Sequence, residues 1–349
     1  MLVIDDTALV KQGKHSVGVA RQYCGELGKR ANCQVLVSLT LARAEVPVGV
    51  ALRLFLPEGW AEDTARRAKA GVPVDVIGRP KWRIALDELD RVRAAGARFG
   101  GVVADAEYGK AAPFRQGLSE RRLTWAVGIP RVQNVYSPAV ELHRPVARTG
   151  RPRKWPMPSE APLTAEARLE NAEWHRIAWR RGTKGPLAAE FAAARVRPAE
   201  GAQLRNGWHL PGDEVWLVGE RRADGERKYY LTNHAAEAPL AVLAAAIKAR
   251  WVCEQAHRQL KNELGLDHFE GRSWLGLHHH ALMAVIAFCF LQHLRLRGKN
   301  RRRGGRAPAA ALAAGGAAAA PRRAHPGPAA LPALPRARPL PSTALNLAE

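Results

Sequence analysis

The chain has 349 residues, 47% of them hydrophobic, so it is long enough to bury a core in one large domain or two ordinary ones. Its formal net charge of +22 favours a polyanionic partner, because Lys and Arg neutralise phosphates and release condensed counterions. The segment after residue 296 holds ten basic residues and one acid, which leaves +13 on residues 1–296 and excludes a basic tail as the only source of the excess.

The cysteine content and the hydropathy of the chain indicate in which compartment the protein is expected. The four cysteines form no C-x-x-C pair, which argues against a zinc ribbon and indicates reduced thiols; they are Cys24, Cys33, Cys253 and Cys289. No signal peptide opens the chain, and the apolar stretch Ala281–Leu291 is shorter than the roughly 20 residues that span a bilayer. We therefore expect a soluble, cytoplasmic protein with no membrane partner.

The first predicted strand begins at Leu2 and ends at Asp5 and Asp6. It has the composition of a buried strand, yet no loop or cap precedes it. Because domains rarely start inside a central strand, we expect an N-terminal domain to belong in front of it.

Apolar runs and helical periodicity predict a series of alternating elements up to residue 129. After the first strand these are strands 33–41 and 46–55 with a turn at 42–45, helix 81–95, strand 101–104, helix 111–120 and strand 123–129. This order predicts an α/β fold with a mixed sheet and helices on its faces.

The second half of the chain is less regular. A hairpin is predicted from Val215–Gly219 and Lys228–Thr232, joined through an Asp-Gly step, and residues 145–163 are predicted to form a loop. Two long helices follow, Pro239–Gly265 and Leu275–Leu296. From residue 297 the chain is rich in Arg, Ala, Gly and Pro without periodicity, which predicts a disordered tail over 297–349.

Acidic residues follow two of the predicted strands, at Asp5-Asp6 and at Asp105. Carboxylates at the strand ends of one sheet can converge on a pair of Mg²⁺ ions, which prefer oxygen ligands and can activate water for phosphodiester cleavage. The alternative for each Asp alone is a helix N-cap or a turn.

A third acid, Glu254, lies in a basic helical segment. Arg250, Glu254, Arg258 and Lys261 recur at helical spacing and are expected to share one face. The alternative is an ordinary solvated stripe of ion pairs; the functional interpretation is one metal ligand among bases that face a phosphate backbone.

These motifs together resemble the insertion-sequence transposases of the DDE superfamily, in the group with a Tyr-x2-Arg-x3-Glu-x6-Lys signature. Arg250, Glu254 and Lys261 fit the last three positions, whereas the Tyr position holds Ile247. Ile4-Asp5-Asp6-Thr7 is similar to the first family motif, with Asp5 or, one residue on, Asp6 as the ligand. Ala104-Asp105-Ala106-Glu107-Tyr108-Gly109 is similar to the second.

The resemblance implies an RNase H-like fold with a β-rich insertion before the last catalytic helix. It divides the chain into the first part of the core at 1–130, the insertion at 131–235, C-terminal core helices at 236–296 and the tail at 297–349. Asp5, Asp105 and Glu254 would be the catalytic residues, and these three with Asp6 the candidate ligands of two Mg²⁺ or Mn²⁺ ions. The implied activity is cleavage at transposon ends and strand transfer into target DNA, by a homodimer that joins two ends. The implied location is the bacterial cytoplasm, in association with the nucleoid.

Several further residues are candidates for DNA contacts. In the resemblance Arg250 and Lys261 would hold phosphates beside the ions, while Arg258, Lys11, Lys14 and Arg21 could contact the backbone or be plain surface charges. Three tryptophans could stack on an extruded base but are more typical of core packing: Trp208, Trp216 and Trp274.

Other acidic and histidine residues favour structural roles. His278, His279 and His280 point in three directions on a helix and so do not suit one zinc ion. Asp267 and Glu270 are expected to be caps or surface residues, and Glu107 is a weak candidate for an accessory ligand.

Two other functions remain open. One is a general RNase H-like nuclease such as a junction resolvase. The other is a truncated, inactive DNA-binding remnant, or an inhibitor of an intact transposase, which Ile247, the abrupt start and the unusual tail favour.

Overall fold

A computed structural model of the chain describes residues 1–43, 46–144, 155–182 and 185–304, except for the side chains of Arg181 and of residues 298–304. Part of the turn predicted at 42–45, most of the loop predicted at 145–163 and the tail beyond residue 304 lie outside the described residues.

Within the described residues the strands are β1 Leu2–Val10, β2 Ala20–Cys24, β3 Lys29–Arg43, β4 Val46–Leu54, β5 Val102–Ala104, β6 Trp125–Ile129, β7 Asn134–Tyr136, β8 Leu142–His143, β9 Met157–Pro158, β10 Leu163–Thr164, β11 His175–Gly182, β12 Gly185–Gln203, β13 His209–Pro211, β14 Val215–Arg221 and β15 Arg227–Thr232.

The helices described are α1 Glu58–Ala61, α2 Thr64–Lys69, α3 Lys81–Ala94, α4 Ala106–Gly109, α5 Ala112–Glu120, α6 Ala165–Arg168, α7 Leu240–Lys248, α8 Trp251–Asn262 and α9 Trp274–Gly304. The strands and helices predicted before residue 130 are confirmed at nearly the predicted positions. Strand β2 is an addition, since its alternating polar residues have no apolar run to reveal them.

The centre of the fold is a mixed sheet. Strand β1 pairs antiparallel with β3 and parallel with β5, and β5 pairs parallel with β6. Strand β4 pairs antiparallel with β3 on the other side. The mixed α/β sheet with flanking helices that the sequence predicts is therefore confirmed.

The strands after residue 130 continue this sheet. Strand β15 pairs with β6, β14 with β15, and β12 with β14, all antiparallel. The hairpin predicted from residues 215–219 and 228–232 is confirmed as β14 and β15. Because the hairpin pairs directly with β6, the region predicted as an insertion shares hydrogen bonds with the core sheet.

Strand β1 is longer than predicted. It runs to Val10 because the long strand β3 pairs with it over its whole length. Its parallel neighbour β5 stops earlier, at the Ile4–Ala104 pair. Asp5 and Asp6 are therefore not at the end of β1, as predicted, but at the level where β5 ends and leaves the edge of β1 open.

Alternation along β1 separates two apolar faces. Leu2 and Ile4 belong to a buried cluster with residues of α3 and α5. Val3 belongs to another, with residues of α7 and with Cys253 of α8. The same alternation directs Asp5 to the α7–α8 face and Asp6 to the α3 face.

The helix predicted from 239 to 265 is interrupted. Helix α7 ends at Lys248, Ala249 and Arg250 form a turn, and α8 begins at Trp251. The prediction of one continuous helix was therefore wrong. The break makes Arg250 the N-cap residue of α8, next to Asp5.

Helix α9 packs one side on the core and leaves the other exposed. Leu277, Ala281, Ala284 and Phe288 are buried against a cluster that includes Leu260 of α8. Residues Trp274–Arg297 are long and apolar enough to cross a bilayer by length and composition, with 28% of the most apolar window buried. The helix thus exceeds the predicted 11-residue apolar run, and its exposed side carries large apolar side chains that include Leu282, Met283, Ile286 and Phe290.

An ion pair inside the fold links α5 to the strands after residue 130. Arg115, 1% exposed, donates from Nε and Nη2 to Glu200 Oε2 at 2.9 and 2.6 Å, and its Nη1 donates to the carbonyl of Gly109. Burial raises the pKa of Glu200, and the guanidinium of Arg115 opposes that rise. A buried charge that loses its partner is costly, so this contact is a sensitive point of the fold.

We predict that Glu200→Ala lowers the free energy of unfolding by about 3–5 kcal/mol, because it leaves the Arg115 charge buried and unpaired. Urea denaturation measures the change. Asp90→Ala is the matched control: it breaks the exposed Arg121–Asp90 pair, with contacts of 2.6 and 2.7 Å, and should cost at most about 1 kcal/mol. Equal losses in the two variants would contradict the structural role given to Glu200.

Two glycines allow α4 to lie directly on β6. A Cβ at Gly109 would fall 1.9 Å from the carbonyl oxygen of Gly128, and a Cβ at Gly128 would fall 2.8 Å from the nitrogen of Ala106. Any side chain at Gly109 would push α4, and with it Asp105, away from the sheet.

We predict that Gly109→Ala destabilises the protein by about 1–3 kcal/mol or more, the usual cost of overpacking, because the backbone of β6 cannot yield. Gly100→Ala is the control, since a Cβ there meets nothing within 4 Å. Thermal unfolding of both variants gives the comparison, and a Gly109→Ala protein as stable as Gly100→Ala would refute this packing argument.

Candidate active site

Asp105 lies where β5 passes into α4. Its side chain accepts hydrogen bonds from the amides of Glu107 and Tyr108, at 3.0 and 3.3 Å, and so caps the N-terminus of α4. The capping alternative considered for this Asp is thus realised. Only Oδ1 is used for the cap, so Oδ2 is left for another ligand.

Asp5 is buried and faces the start of α8. Arg250 Nη1 donates to Asp5 Oδ2 at 2.7 Å, and the amide of Asp6 donates to Asp5 Oδ1 at 2.9 Å. Asp105 lies close enough to act on the same carboxyl electrostatically. The end of β5 and the start of α8 thus place Asp105 and Arg250 close to Asp5.

Asp6 is held by different partners. Lys81 Nζ donates to Asp6 Oδ2 at 2.5 Å, and the buried hydroxyl of Tyr108 donates to Asp6 Oδ1. These contacts tie β1 to α3 and α4. Both oxygens of Asp6 therefore already have structural partners within the described residues.

Glu254 is linked to Asp5 through Arg250. The guanidinium donates from Nη2 to Glu254 Oε1 while its Nη1 holds Asp5. The planar guanidinium group of Arg250 therefore lies between two carboxylates that are 249 positions apart in the chain. Asp105, Arg250 and Glu254 also line one cleft of about 490 Å³, which is within the range of ligand sites.

The electrostatics reflect crowding of like charges in a buried place. Burial raises the pKa of Asp5 to about 7, since desolvation and the charges of Asp105 and Asp6 outweigh the opposing effect of Arg250. Burial also raises the pKa of Asp105. The acids counteract the effect of burial on Arg250 and keep its pKa above the ordinary value. A bound cation would therefore stabilise the ionised forms of these acids.

The donor set suits hard divalent cations. Carboxylate oxygens are the ligands that Mg²⁺ and Mn²⁺ prefer, and Arg250 already occupies the position of a cation between two of them. Asp5, Asp105 and Glu254 could hold such ions. Glu107 instead pairs with Lys110 at 2.7 Å and lies on the surface.

More basic residues line the cleft than the sequence motifs predict. Beyond Arg250 it is lined by five basic residues: Arg131, Arg222, Arg227, Lys228 and Lys248. Arg131 follows β6, and three of the others come from the β14–β15 hairpin. In the sequence the three hairpin residues lie within Glu220–Lys228, at the predicted turn. The pairing of β15 with β6 brings this segment to the site.

Two of the predicted DNA contacts lie elsewhere. Lys11 is buried and donates to the carbonyls of Asp267 and Phe269 at 3.1 and 2.5 Å, so it holds the loop after α8. Lys261 is also mostly buried and pairs with Glu26 at 2.8 Å. Lys11 follows the end of β1, and residues from a distant part of the chain cover it, which no local feature of the sequence indicates.

The remaining candidates are distributed over the surface and the core. Arg258 is exposed on α8 one turn beyond Glu254, and Lys14 and Arg21 are exposed near β2. Trp274 is buried, whereas Trp208 and Trp216 are half-buried. His278 contacts the carbonyl of Trp274 and His280 that of Gly265, so these histidines have separate partners.

Comparison with known proteins supports the same family. Residues 1–186, more than half of the chain, match the family described as DDE superfamily endonuclease; the match includes Asp5, Asp6 and Asp105 but not Glu254. No curated protein matches the chain. Among solved structures it is similar to a cryo-EM structure of the piggyBac transposase synaptic complex with hairpin DNA, at 10% identity and a TM-score of 0.36, over 88% of this chain and 54% of that chain.

The chain thus spans about half the length of that transposase chain, and a likeness of this degree carries no argument about function. The match over residues 1–186 confirms the resemblance found in the sequence motifs. The chain belongs to the DDE superfamily endonucleases.

Proposed function

We propose that the protein is a transposase that cuts DNA at the ends of its own element and joins the freed 3′ ends to target DNA. One observation carries the proposal: Arg250 bridges Asp5 and Glu254 at a cleft that Asp105 also lines. Two acids from distant parts of the chain thus line one basic cleft, and Arg250 links the third acid, Asp5, to it.

Asp5, Asp105 and Glu254 would hold two Mg²⁺ or Mn²⁺ ions. When bound, such ions activate water and stabilise the leaving oxygen of an in-line displacement. Glu254 is half exposed, with 54% of its side chain accessible, so it can adjust its position as ions and DNA bind. The buried Asp5 on β1 and the half-buried Asp105 at the N-terminus of α4 provide the fixed part of the site.

Asp5 is the better candidate than Asp6 for the first ligand. It faces the same side of the sheet as α8 and shares Arg250 with Glu254. Asp6 faces α3, and Lys81 and Tyr108 engage both of its oxygens. We assign Asp6 a positioning role: it fixes α4, and so Asp105, relative to β1.

The basic residues of the cleft would position the DNA backbone. The planar guanidinium of Arg250 suits bidentate contact with a phosphate beside the acids. Arg131, Arg227 and Lys228 lie at the cleft with side chains that reach solvent. Positioning and charge neutralisation supply most of the catalysis in reactions of this type.

The proposed setting follows from this chemistry. Two element ends have to be joined, so the active form is expected to be a homodimer on double-stranded DNA in the bacterial cytoplasm. An inactive remnant that retains DNA binding, or inhibits an intact transposase, is the competing outcome in the experiment below.

We predict that Asp5→Asn, Asp105→Asn and Glu254→Gln each reduce Mn²⁺-dependent nicking of element-end DNA at least about 10²-fold, because each removes a charge needed around the ions. The control is Asp224→Asn, which changes an exposed acid in the β14–β15 turn. Nicking is followed on end-labelled duplexes, and Mn²⁺ binding is measured separately by electron paramagnetic resonance.

Full cleavage by Asp105→Asn would exclude Asp105 from the site. Equal nicking of element-end and random duplexes would support a general nuclease. Retention of DNA on a gel without cleavage by the unaltered protein would support the inactive remnant.

We predict that Arg227→Ala weakens DNA binding and lowers the salt dependence of binding by about 0.9 in log–log slope, the contribution of one phosphate contact. Arg93→Ala is the control, since Arg93 is exposed on α3, on the opposite face of the sheet. Fluorescence anisotropy at several salt concentrations measures both quantities. An unchanged slope in Arg227→Ala would show that this side of the cleft does not hold the backbone.

A further inference from the structure

A second group of possible metal ligands lies behind Asp5. The ligand atoms of Asp5, Cys253 and His257 lie within 4.8 Å of one another, and all three residues are buried. Cys253 and His257 are one helical turn apart on α8, and their Sγ and Nε2 atoms are 3.5 Å apart. The proposed catalytic roles use neither of these two residues.

The separation of the Cys253 and His257 ligand atoms fits a tetrahedral ion, and an Asp5 oxygen lies within 4.8 Å of both. Zinc binds thiolate sulfur at about 2.3 Å and imidazole nitrogen at about 2.0–2.1 Å, so a tetrahedral angle separates the two ligand atoms by about 3.5 Å. The observed Sγ–Nε2 distance of 3.5 Å equals this separation without any movement of α8.

Oxygen atoms complete the surroundings. Ser38 Oγ lies 2.8 Å from His257 Nε2, and Cys253 Sγ donates to Thr40 Oγ1 at 3.4 Å. Both hydroxyls come from β3 and lie beside the three ligand atoms. Either could orient a ligand or a bound water at a fourth position.

We propose that Asp5, Cys253 and His257 form a binding site for one thiophilic divalent ion of the zinc class, and that this site shares Asp5 with the catalytic site. The second half of this proposal rests on the proposed function; the first half does not. Asp5 has four lone-pair positions, so its contacts with Arg250 and with the amide of Asp6 leave room for the ion.

When the ion binds, it replaces the proton of the Cys253 thiol. The Cys253 thiol loses its proton to solvent, a sulfur–metal bond forms, and no electron is transferred. His257 takes the Nδ1–H tautomer so that the Nε2 lone pair faces the ion. The Asp5 side chain, 10% exposed beside the cleft, marks the entry path.

Occupation of this site should inhibit the enzyme. An ion held by sulfur and nitrogen ligands draws the Asp5 carboxylate toward α8 and away from Asp105. A carboxylate engaged there is lost to Mg²⁺, which depends on oxygen ligands alone. The proposal therefore predicts inhibition by zinc that excess Mg²⁺ relieves poorly.

The test is a Co²⁺ titration of the full chain, in which a thiolate–cobalt bond gives an intense near-ultraviolet absorption. We expect this band at about one equivalent, its displacement by Zn²⁺, and its loss with at least about tenfold weaker binding in Cys253→Ser and His257→Asn. The matched control is Cys289→Ser, which removes a half-buried cysteine on α9 that contacts the carbonyl of Gly49 and should keep the band.

Absence of the band in the unaltered protein, its persistence in Cys253→Ser, or its equal loss in Cys289→Ser would overturn the proposal. Circular dichroism of the metal-free variants checks that each one folds; if His257→Asn does not, the near-isosteric Cys253→Ser still decides the question. Zinc should also inhibit nicking at least about tenfold less in Cys253→Ser than in the unaltered protein. A protein that binds Co²⁺ but never cuts DNA would refute the proposed function and leave the metal site standing.

Discussion

The convergence of carboxylates at one level of the sheet is the constraint on which the rest of the site depends. Asp5, Asp6 and Asp105 lie together because β5 ends beside the middle of β1. Buried acids at such short range repel one another and lose hydration, so the arrangement requires fixed positive charge. Arg250 and Lys81 provide it, one on each face of the sheet.

The break between α7 and α8 makes this compensation possible. Arg250 is the N-cap residue of α8, and its side chain reaches Asp5 on β1. The N-terminus of α8 adds the positive end of a helix dipole to the same place. A continuous helix over this region would not direct a helix N-terminus at the acids.

Much of the architecture could be predicted from the sequence, because burial imposes periodicity. The apolar strands on either side of Asp105 and the spacing of α3 gave nearly correct bounds. The roles of individual charged residues were less predictable. Lys11 is buried by a loop 256 positions away, and Arg227 reaches the cleft only through strand pairing, so neither fact has a local signal.

The position of α8 against β1 connects the two proposed sites. Leu260 and Ala256 anchor the helix in one apolar cluster, and Cys253 contacts another. Glu254 and Cys253 are neighbours in the chain and point about 100° apart on a helix, one toward the cleft and one toward the core. Asp5 lies near both Cys253 and the Arg250–Glu254 pair, so the two proposed sites would compete for one carboxylate while α8 stays in place.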